Sequence, residues 1–138
     1  MIPLALWWAT VAAGPDLARQ LETIAADAQG TVSVACALPG KKLACGLRAA
    51  SKPPMQSVFK FPLVLAALAR VEQGEFTLDQ PIRFLPSDRI LPKTYSPLQD
   101  KYPQGDVDVP LRELMRLSVS LSDNTASDVI LRLLGGPA

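Results

Sequence analysis

Between Gln80 and Pro110 the chain carries prolines at 81, 86, 92, 97, 103 and 110, and their spacing limits the fold more than any other feature. Proline lacks a backbone N–H and fixes φ near −65°, so it interrupts helices beyond their first turn and is kept out of the middle of sheets. No long helix and no central strand fits between Gln80 and Pro110. The segment reads as an extended, well-anchored loop region.

Regular structure must then lie on either side. On the N-terminal side Asp16 can cap a helix whose Leu17, Leu21, Ile24, Ala25 and Ala28 share one face, with Gly30 suited to a left-handed C-terminal position. Thr31 to Leu38 and Lys42 to Leu47 read as two strands around Pro39-Gly40. In a symmetric hairpin centred on Gly40-Lys41, paired positions sum to 81, and Cys36 faces Cys45. Two outcomes are open: a disulfide worth roughly 2 to 3 kcal/mol, or two buried thiols packing as small hydrophobes.

Lys52-Pro53-Pro54 breaks the strand pattern, and a helix follows from about Ser57 to Gln73, stopped by Gly74. Residues Leu63 to Ala69 are apolar all the way round, which predicts a central, buried helix. Pro62 would remove a hydrogen bond to the Val58 carbonyl, so the first turn around Ser57 is expected to be distorted. Beyond the proline-rich stretch, Leu111, Leu114, Met115, Leu117 and Val119 give helical periodicity. It returns in Ala126, Val129, Ile130, Leu133 and Leu134, so two helices flank Ser122-Asp123-Asn124.

With 138 residues, 49% hydrophobic and 20% charged, the composition is that of one globular domain. Fourteen basic and 13 acidic residues are interspersed, giving a net charge of +1 and no electrostatic footprint for nucleic acid or anionic lipid. A small molecule is the expected partner. The absence of histidine removes Ser-His-Asp and Cys-His systems and His-ligated metals. With two cysteines only, neither a metal nor another cofactor is implied. The run Ile2 to Ala13 resembles an export signal ending in a Val11-Ala12-Ala13 cleavage site, although no Lys or Arg precedes it. It is too short to span a bilayer, which takes about 20 residues, so residues 1–15 read as a signal-like segment and residues 16–138 as the domain.

A serine hydroxyl is a weak nucleophile unless a base takes its proton. Ser57 and Lys60, three apart on a helix, share a face, so the lysine amine can reach the hydroxyl. Burial beside Phe59 and Phe61 would depress the lysine pKa and suit it to act as a base. Ser57 at a helix N-terminus also offers its backbone N–H to a developing oxyanion. Ser122-Asp123-Asn124 adds a second hydroxyl and an amide, though by itself the triplet has the composition of a helix cap.

Order, spacing and surrounding residues together resemble the class A serine β-lactamases. The likeness is carried by Gly30-Thr31-Val32-Ser33-Val34, Met55-Gln56-Ser57-Val58-Phe59-Lys60, Tyr95-Ser96-Pro97-Leu98, Leu111-Arg112-Glu113-Leu114, Ser122-Asp123-Asn124-Thr125-Ala126-Ser127 and Leu134-Gly135-Gly136-Pro137. The resemblance implies an α+β fold of the β-lactamase/D,D-peptidase type, present incompletely: the N-terminal helix and hairpin of the α/β part plus much of the all-helical part. It implies Ser57 as the acylated nucleophile, Lys60 as its base and Ser122 as the proton relay to the β-lactam nitrogen. Asn124 would bind the substrate side chain, Asp123 hold the turn, and Tyr95 wall the mouth of the site. It further implies a small-molecule β-lactam substrate, an exported enzyme, periplasmic or secreted, and a monomer when complete.

The family's E-x-x-L-N glutamate and K-T-G strand are not among these 138 residues: Glu22, Glu72, Glu75 and Glu113 lack the first context, and Lys93-Thr94 is followed by Tyr95. The expectation is an N-terminal portion of the enzyme, inactive and not stably folded by itself. Other readings from the same residues are a penicillin-binding D,D-peptidase, a β-lactam sensor domain that stays acylated, and an inactive remnant.

Overall fold

The computed structural model describes residues 15–136, without the side chains of residues 15, 16 and 41–44. All of the signal-like segment except Pro15 lies outside the described residues. The chain divides into two compact units, Met1–Pro54 and Met55–Ala138.

In the first unit, α1 spans Pro15–Ala26 and packs on the second strand of a hairpin. Leu17, Leu21 and Ala25 form its half-buried stripe, one residue per turn. Ile24, expected on that face, is 70% exposed, because a single strand offers only a narrow surface to bury against. Asp16 lies within the helix rather than capping it. The helix also ends at Ala26, with the Ala28 N–H bonded to the Ala25 carbonyl at 3.3 Å. Gly30 therefore sits beyond the helix terminus, and it does not take the left-handed conformation expected of it.

The hairpin pairs β1, Val34–Leu38, with β2, Lys41–Leu47. Val34↔Leu47, Ala35↔Gly46 and Cys36↔Cys45 follow the expected register, which then shifts so that Leu38 pairs with Lys41. The turn is therefore Pro39-Gly40, not one centred on Gly40-Lys41. Gly40 has φ of 75°, a value open to glycine at no steric cost, and the unequal strands are accommodated by the irregularity behind it. Cys36 and Cys45 form a disulfide with Cα atoms 5.5 Å apart, within the usual span for such a bond. Residues 31–33 do not join the strand. They are tied instead by Arg48 Nη1 donating to the Val32 carbonyl at 2.9 Å and by the Ser33 and Ser51 hydroxyls at 2.6 Å.

In the second unit a single 3-10 turn, Gln56–Phe59, leads into α2, Lys60–Glu72, with Gly74 at φ of 77° beyond its end. The distorted first turn is as Pro62 requires, and Gln56 is left-handed at φ of 48°. The predicted all-round burial of α2 is not observed. Lys60, Leu63, Val64 and Ala67 are buried, whereas Phe61, Leu65 and Leu68 are 60%, 47% and 40% exposed. The buried positions form one i, i+3, i+4, i+7 stripe, the stripe that meets the two later helices, α4 (Leu111–Ser120) and α5 (Asn124–Leu133).

The proline-rich segment is more ordered than a loop. β3, Pro81–Phe84, pairs antiparallel with β4, Val107–Pro110, in a two-stranded sheet that opposes Pro81 to Pro110 at one end. Two-residue alternation buries Ile82, Phe84 and Val109 and turns Arg83 outward to Asp106 and Asp108. Pro86 and Pro97 occupy first positions of a 3-10 turn, Pro86–Asp88, and of the short helix α3, Pro97–Lys101, where a missing N–H costs nothing. Ile82, Phe84, Leu98, Val109, Leu111, Leu114, Val129 and Ile130 belong to one core cluster.

Two carboxylates fasten this unit. Asp88 accepts a forked pair of bonds from Arg132 at 2.8 and 2.9 Å, joining the 3-10 turn to α5. Asp123, fully buried, caps α5 by accepting from the Ala126 N–H at 2.8 Å. It also accepts from Ser96 Oγ at 2.9 Å and the Leu98 N–H at 2.6 Å. Ser96 in turn caps α3 by accepting from the Gln99 N–H.

Asp123→Ala strands three buried donors and is expected to cost about 3 kcal/mol or more. Asp123→Asn turns an amide N–H toward one of them and should cost less, an order read from denaturant midpoints of the two variants of the full protein that the gene encodes. The disulfide closes a short loop, so replacing both cysteines by serine should cost about 2 to 3 kcal/mol. In the denatured, non-reduced protein neither cysteine should react with iodoacetamide.

Candidate active site

The 3-10 turn before α2 presents the Ser57 side chain to solvent, while Lys60, one turn on, is only 3% exposed. Ser122 stands in the tight connection between α4 and α5 with a left-handed backbone, φ of 55°. Its conformation is held by the Leu121 and Asp123 N–H groups, which both bond to the Leu117 carbonyl. Asn124 opens α5 directly after the Asp123 cap.

The Lys60 amine donates to the Ser122 carbonyl at 2.5 Å, to Ser122 Oγ at 3.1 Å and to Asn124 Oδ1 at 2.9 Å. An ammonium has three N–H donors, so these bonds use all of them. Ser122 Oγ donates to Ser57 Oγ at 3.0 Å. The predicted link between Ser57 and Lys60 therefore runs through the Ser122 hydroxyl instead of directly along the helix. The Ser122 carbonyl and the Asn124 amide converge on the amine and hold it on their side.

Asn124 is a bridge. While its Oδ1 accepts from Lys60, its Nδ2 donates to the Tyr95 carbonyl at 2.9 Å. Tyr95 is thus attached by its backbone carbonyl, the residue being 58% exposed, and Ser96 beside it in sequence is anchored on Asp123. Four of the site residues inferred from sequence, Ser57, Lys60, Ser122 and Asn124, form one hydrogen-bonded group. Tyr95 joins it through Asn124, and Asp123 supports it from beneath; the disulfide cysteines belong to the other unit.

Burial lowers the Lys60 pKa below its ordinary value, against the opposing pull of Asp123 and Asp128. A lysine whose bonds all go to neutral oxygens is less strongly held in its charged form than one in an ion pair. The arrangement can pass a proton between an exposed hydroxyl and a buried amine through a second hydroxyl.

Two contributors were missed in the sequence. Ser96 had a readable signal, a capping residue directly before a proline suited to the first helical position. Asp128 had only its spacing, four residues after Asn124 and so on the same face of α5. A groove of about 690 Å³ between α3, β4 and α4 is lined by Leu98, Tyr102, Arg112 and Arg116 among others, and by none of the hydrogen-bonded four. Among the described residues no helix is long and apolar enough to cross a membrane, and no group of three or more Cys, Asp or Glu could hold a metal.

Residues 16–138 match the family model described as the beta-lactamase enzyme family. The extended-spectrum beta-lactamase PER-1 of Pseudomonas aeruginosa is 36% identical over 129 residues, 94% of this chain and 42% of that protein. Among solved structures, a beta-lactamase from Chitinophaga pinensis aligns with a TM-score of 0.77 at 39% identity, over 88% of this chain and 44% of that one. A class A beta-lactamase from Bacteroides cellulosilyticus aligns with a TM-score of 0.77 at 32% identity, over 91% and 44%. The chain thus spans less than half the length of these relatives, and its helices and small sheets correspond to an incomplete form of their fold. On the extent of these matches, the chain belongs to the β-lactamase enzyme family, with the class A enzymes.

Proposed function

We propose that the protein opens β-lactam rings by acylation of Ser57. The observation that carries this reading is the continuous hydrogen-bonded line from the buried Lys60 amine through Ser122 Oγ to the exposed Ser57 Oγ. Neutral Lys60 takes a proton from Ser57 by way of the Ser122 hydroxyl, and Ser57 Oγ attacks the β-lactam carbonyl carbon. The Ser57 backbone N–H supports the developing oxyanion. As the ring C–N bond breaks, Ser122 gives its proton to the departing nitrogen and is resupplied from Lys60, which leaves an ester on Ser57 for water to cleave.

Asn124 donates one Nδ2 hydrogen to the Tyr95 carbonyl, and its second can donate to a carbonyl of the substrate side chain. The exposed Tyr95 ring supplies an apolar wall beside it. Residues 1–15 act as the export segment and 16–138 as part of the catalytic domain of a periplasmic or secreted monomer. Neither an E-x-x-L-N glutamate nor a K-T-G strand is encoded in these residues, so the 138-residue chain alone is expected to show no turnover.

In the full protein that the gene encodes, a β-lactam should add its own mass to the peptide containing Ser57, seen by mass spectrometry after acid quenching. Ser57→Ala should abolish both this adduct and hydrolysis of a chromogenic cephalosporin; hydrolysis that survives would overturn the nucleophile. A stable adduct without hydrolysis would identify a sensor rather than a lactamase.

Only the neutral amine accepts a proton, so acylation should rise with pH through the lowered Lys60 pKa. Lys60→Arg, whose side chain stays charged, should lose that rising limb and slow acylation about 10² to 10⁴-fold. Stopped-flow acylation between pH 5 and pH 10 reads both effects.

A further inference from the structure

Residues 89–96, between the Pro86–Asp88 turn and α3, form no helix or strand, yet they carry Tyr95. The backbone is bent by a tight turn, Leu91-Pro92-Lys93-Thr94, in which the Thr94 N–H bonds to the Leu91 carbonyl at 3.2 Å. Lys93 is left-handed at φ of 70°, with Pro92 directly before it. Proline at the second position and a positive φ at the third are the marks of a type II turn. Such a turn fixes the tip of the loop and leaves its base to be closed by other groups.

Gln99 closes that base. Its Oε1 accepts from the Ile90 N–H at 2.9 Å and its Nε2 donates to the Ile90 carbonyl at 3.4 Å. One amide thus engages both polar groups of one backbone residue, as the facing residue of an antiparallel strand does. The Gln99 backbone N–H donates to Ser96 Oγ at 3.1 Å. A single residue of α3 therefore holds Ile90 at one end of the loop and Ser96 at the other. Ser96 is itself fixed on Asp123, and the Tyr95 carbonyl beside it accepts from Asn124 Nδ2. Gln99 and Ile90 are both half-buried, where partial exclusion of water strengthens such bonds.

We propose that Gln99 is a positioning residue for Tyr95, and through it sets how well the site binds β-lactams that carry an aromatic acyl side chain. The proposal rests on the reading of Ser57 as the acylated nucleophile and of Tyr95 as the wall beside Asn124. Removing the Gln99 amide loosens Ile90 to Thr94 and the adjoining Tyr95, while Asp123, Ser122 and Asn124 keep their own bonds. An aromatic wall ordered before the substrate arrives spares binding that ordering cost, so its loss is felt in affinity and not in the chemical step.

The test uses the full protein that the gene encodes. Rapid quenching and mass spectrometry follow acylation of Ser57 against concentration for two penicillins, one with an aromatic acyl side chain and one with a free amine in its place. In Gln99→Ala the half-saturating concentration of the first should rise about 3 to 10-fold at an unchanged limiting rate, and that of the second should stay as in the parent. Gln99→Glu keeps the shorter bond to the Ile90 N–H and should recover most of the loss. In a Tyr95→Ala background, Gln99→Ala should add nothing further, since the residue it acts through is gone. By NMR, the Ile90 amide proton should exchange with solvent faster in Gln99→Ala than in the parent. An unchanged half-saturation, an equal rise for both penicillins, a full effect without the tyrosine ring, or an Ile90 amide that exchanges no faster each overturns the proposal. A parent protein that forms no adduct overturns the proposed function itself, whereas an unchanged half-saturation in an acylating protein overturns the present proposal alone. Should the alanine variant fail to fold, Gln99→Met fills the same space without either bond and carries the same outcomes.

Discussion

The second unit is organised around the burial of one carboxylate. Asp123 has no exposed surface, and burying an ionised group is tolerated only when strong donors surround it. Its three donors come from separate places: the first turn of α5, the residue that caps α3, and the first turn of α3 itself. Satisfying one side chain therefore fixes the direction in which α5 begins and the position of the segment holding Tyr95. Ser122 precedes that carboxylate by one residue and Asn124 follows it by one. The side chains of Ser122 and Asn124 are thus placed by the carboxylate they flank.

A related economy of charge governs Lys60. Its bonding partners are two oxygens of Ser122 and one of Asn124, all uncharged, and its carboxylate neighbours stand beyond that first layer. A salt bridge at the same place would keep the amine protonated and useless as a proton acceptor. Hydrogen bonds to neutral oxygens orient the amine without fixing its charge. Asn124 serves twice, because the amide that positions the lysine also restrains the Tyr95 backbone.

The sequence revealed this site more fully than it revealed the fold. Ser57 and Lys60 could be paired as chemically competent because no histidine offered a competing base, Ser122 and Asn124 were singled out by the resemblance to the class A enzymes, and the structure does bring the four together. The route between them was not legible. Whether Lys60 meets Ser57 directly or through Ser122 depends on side chains 62 residues apart in the chain, which periodicity along one helix cannot report. Burial of α2 was not legible for a similar reason: Leu63 to Ala69 shows that apolar residues surround the helix, but which of them are covered depends on neighbouring elements, and this chain spans less than half the length of its relatives. The β3 and β4 strands escaped because prolines were read only as interruptions. Pro81 and Pro110 lie opposite each other at one end of the ladder, a position where proline costs little.

Ser122 carries a positive φ, and this narrows the choices evolution has there. Glycine would take that backbone without strain but brings no hydroxyl, and threonine brings a hydroxyl but a branched Cβ that suits left-handed geometry poorly. Asparagine and aspartate tolerate the conformation, yet neither can both accept from the amine and donate to Ser57 through a single atom. Among these residue types, serine alone combines the turn with a single atom that accepts from Lys60 and donates to Ser57. Serine is thus a compromise, in which a strained backbone is accepted for a hydroxyl at the centre of the hydrogen-bonded group.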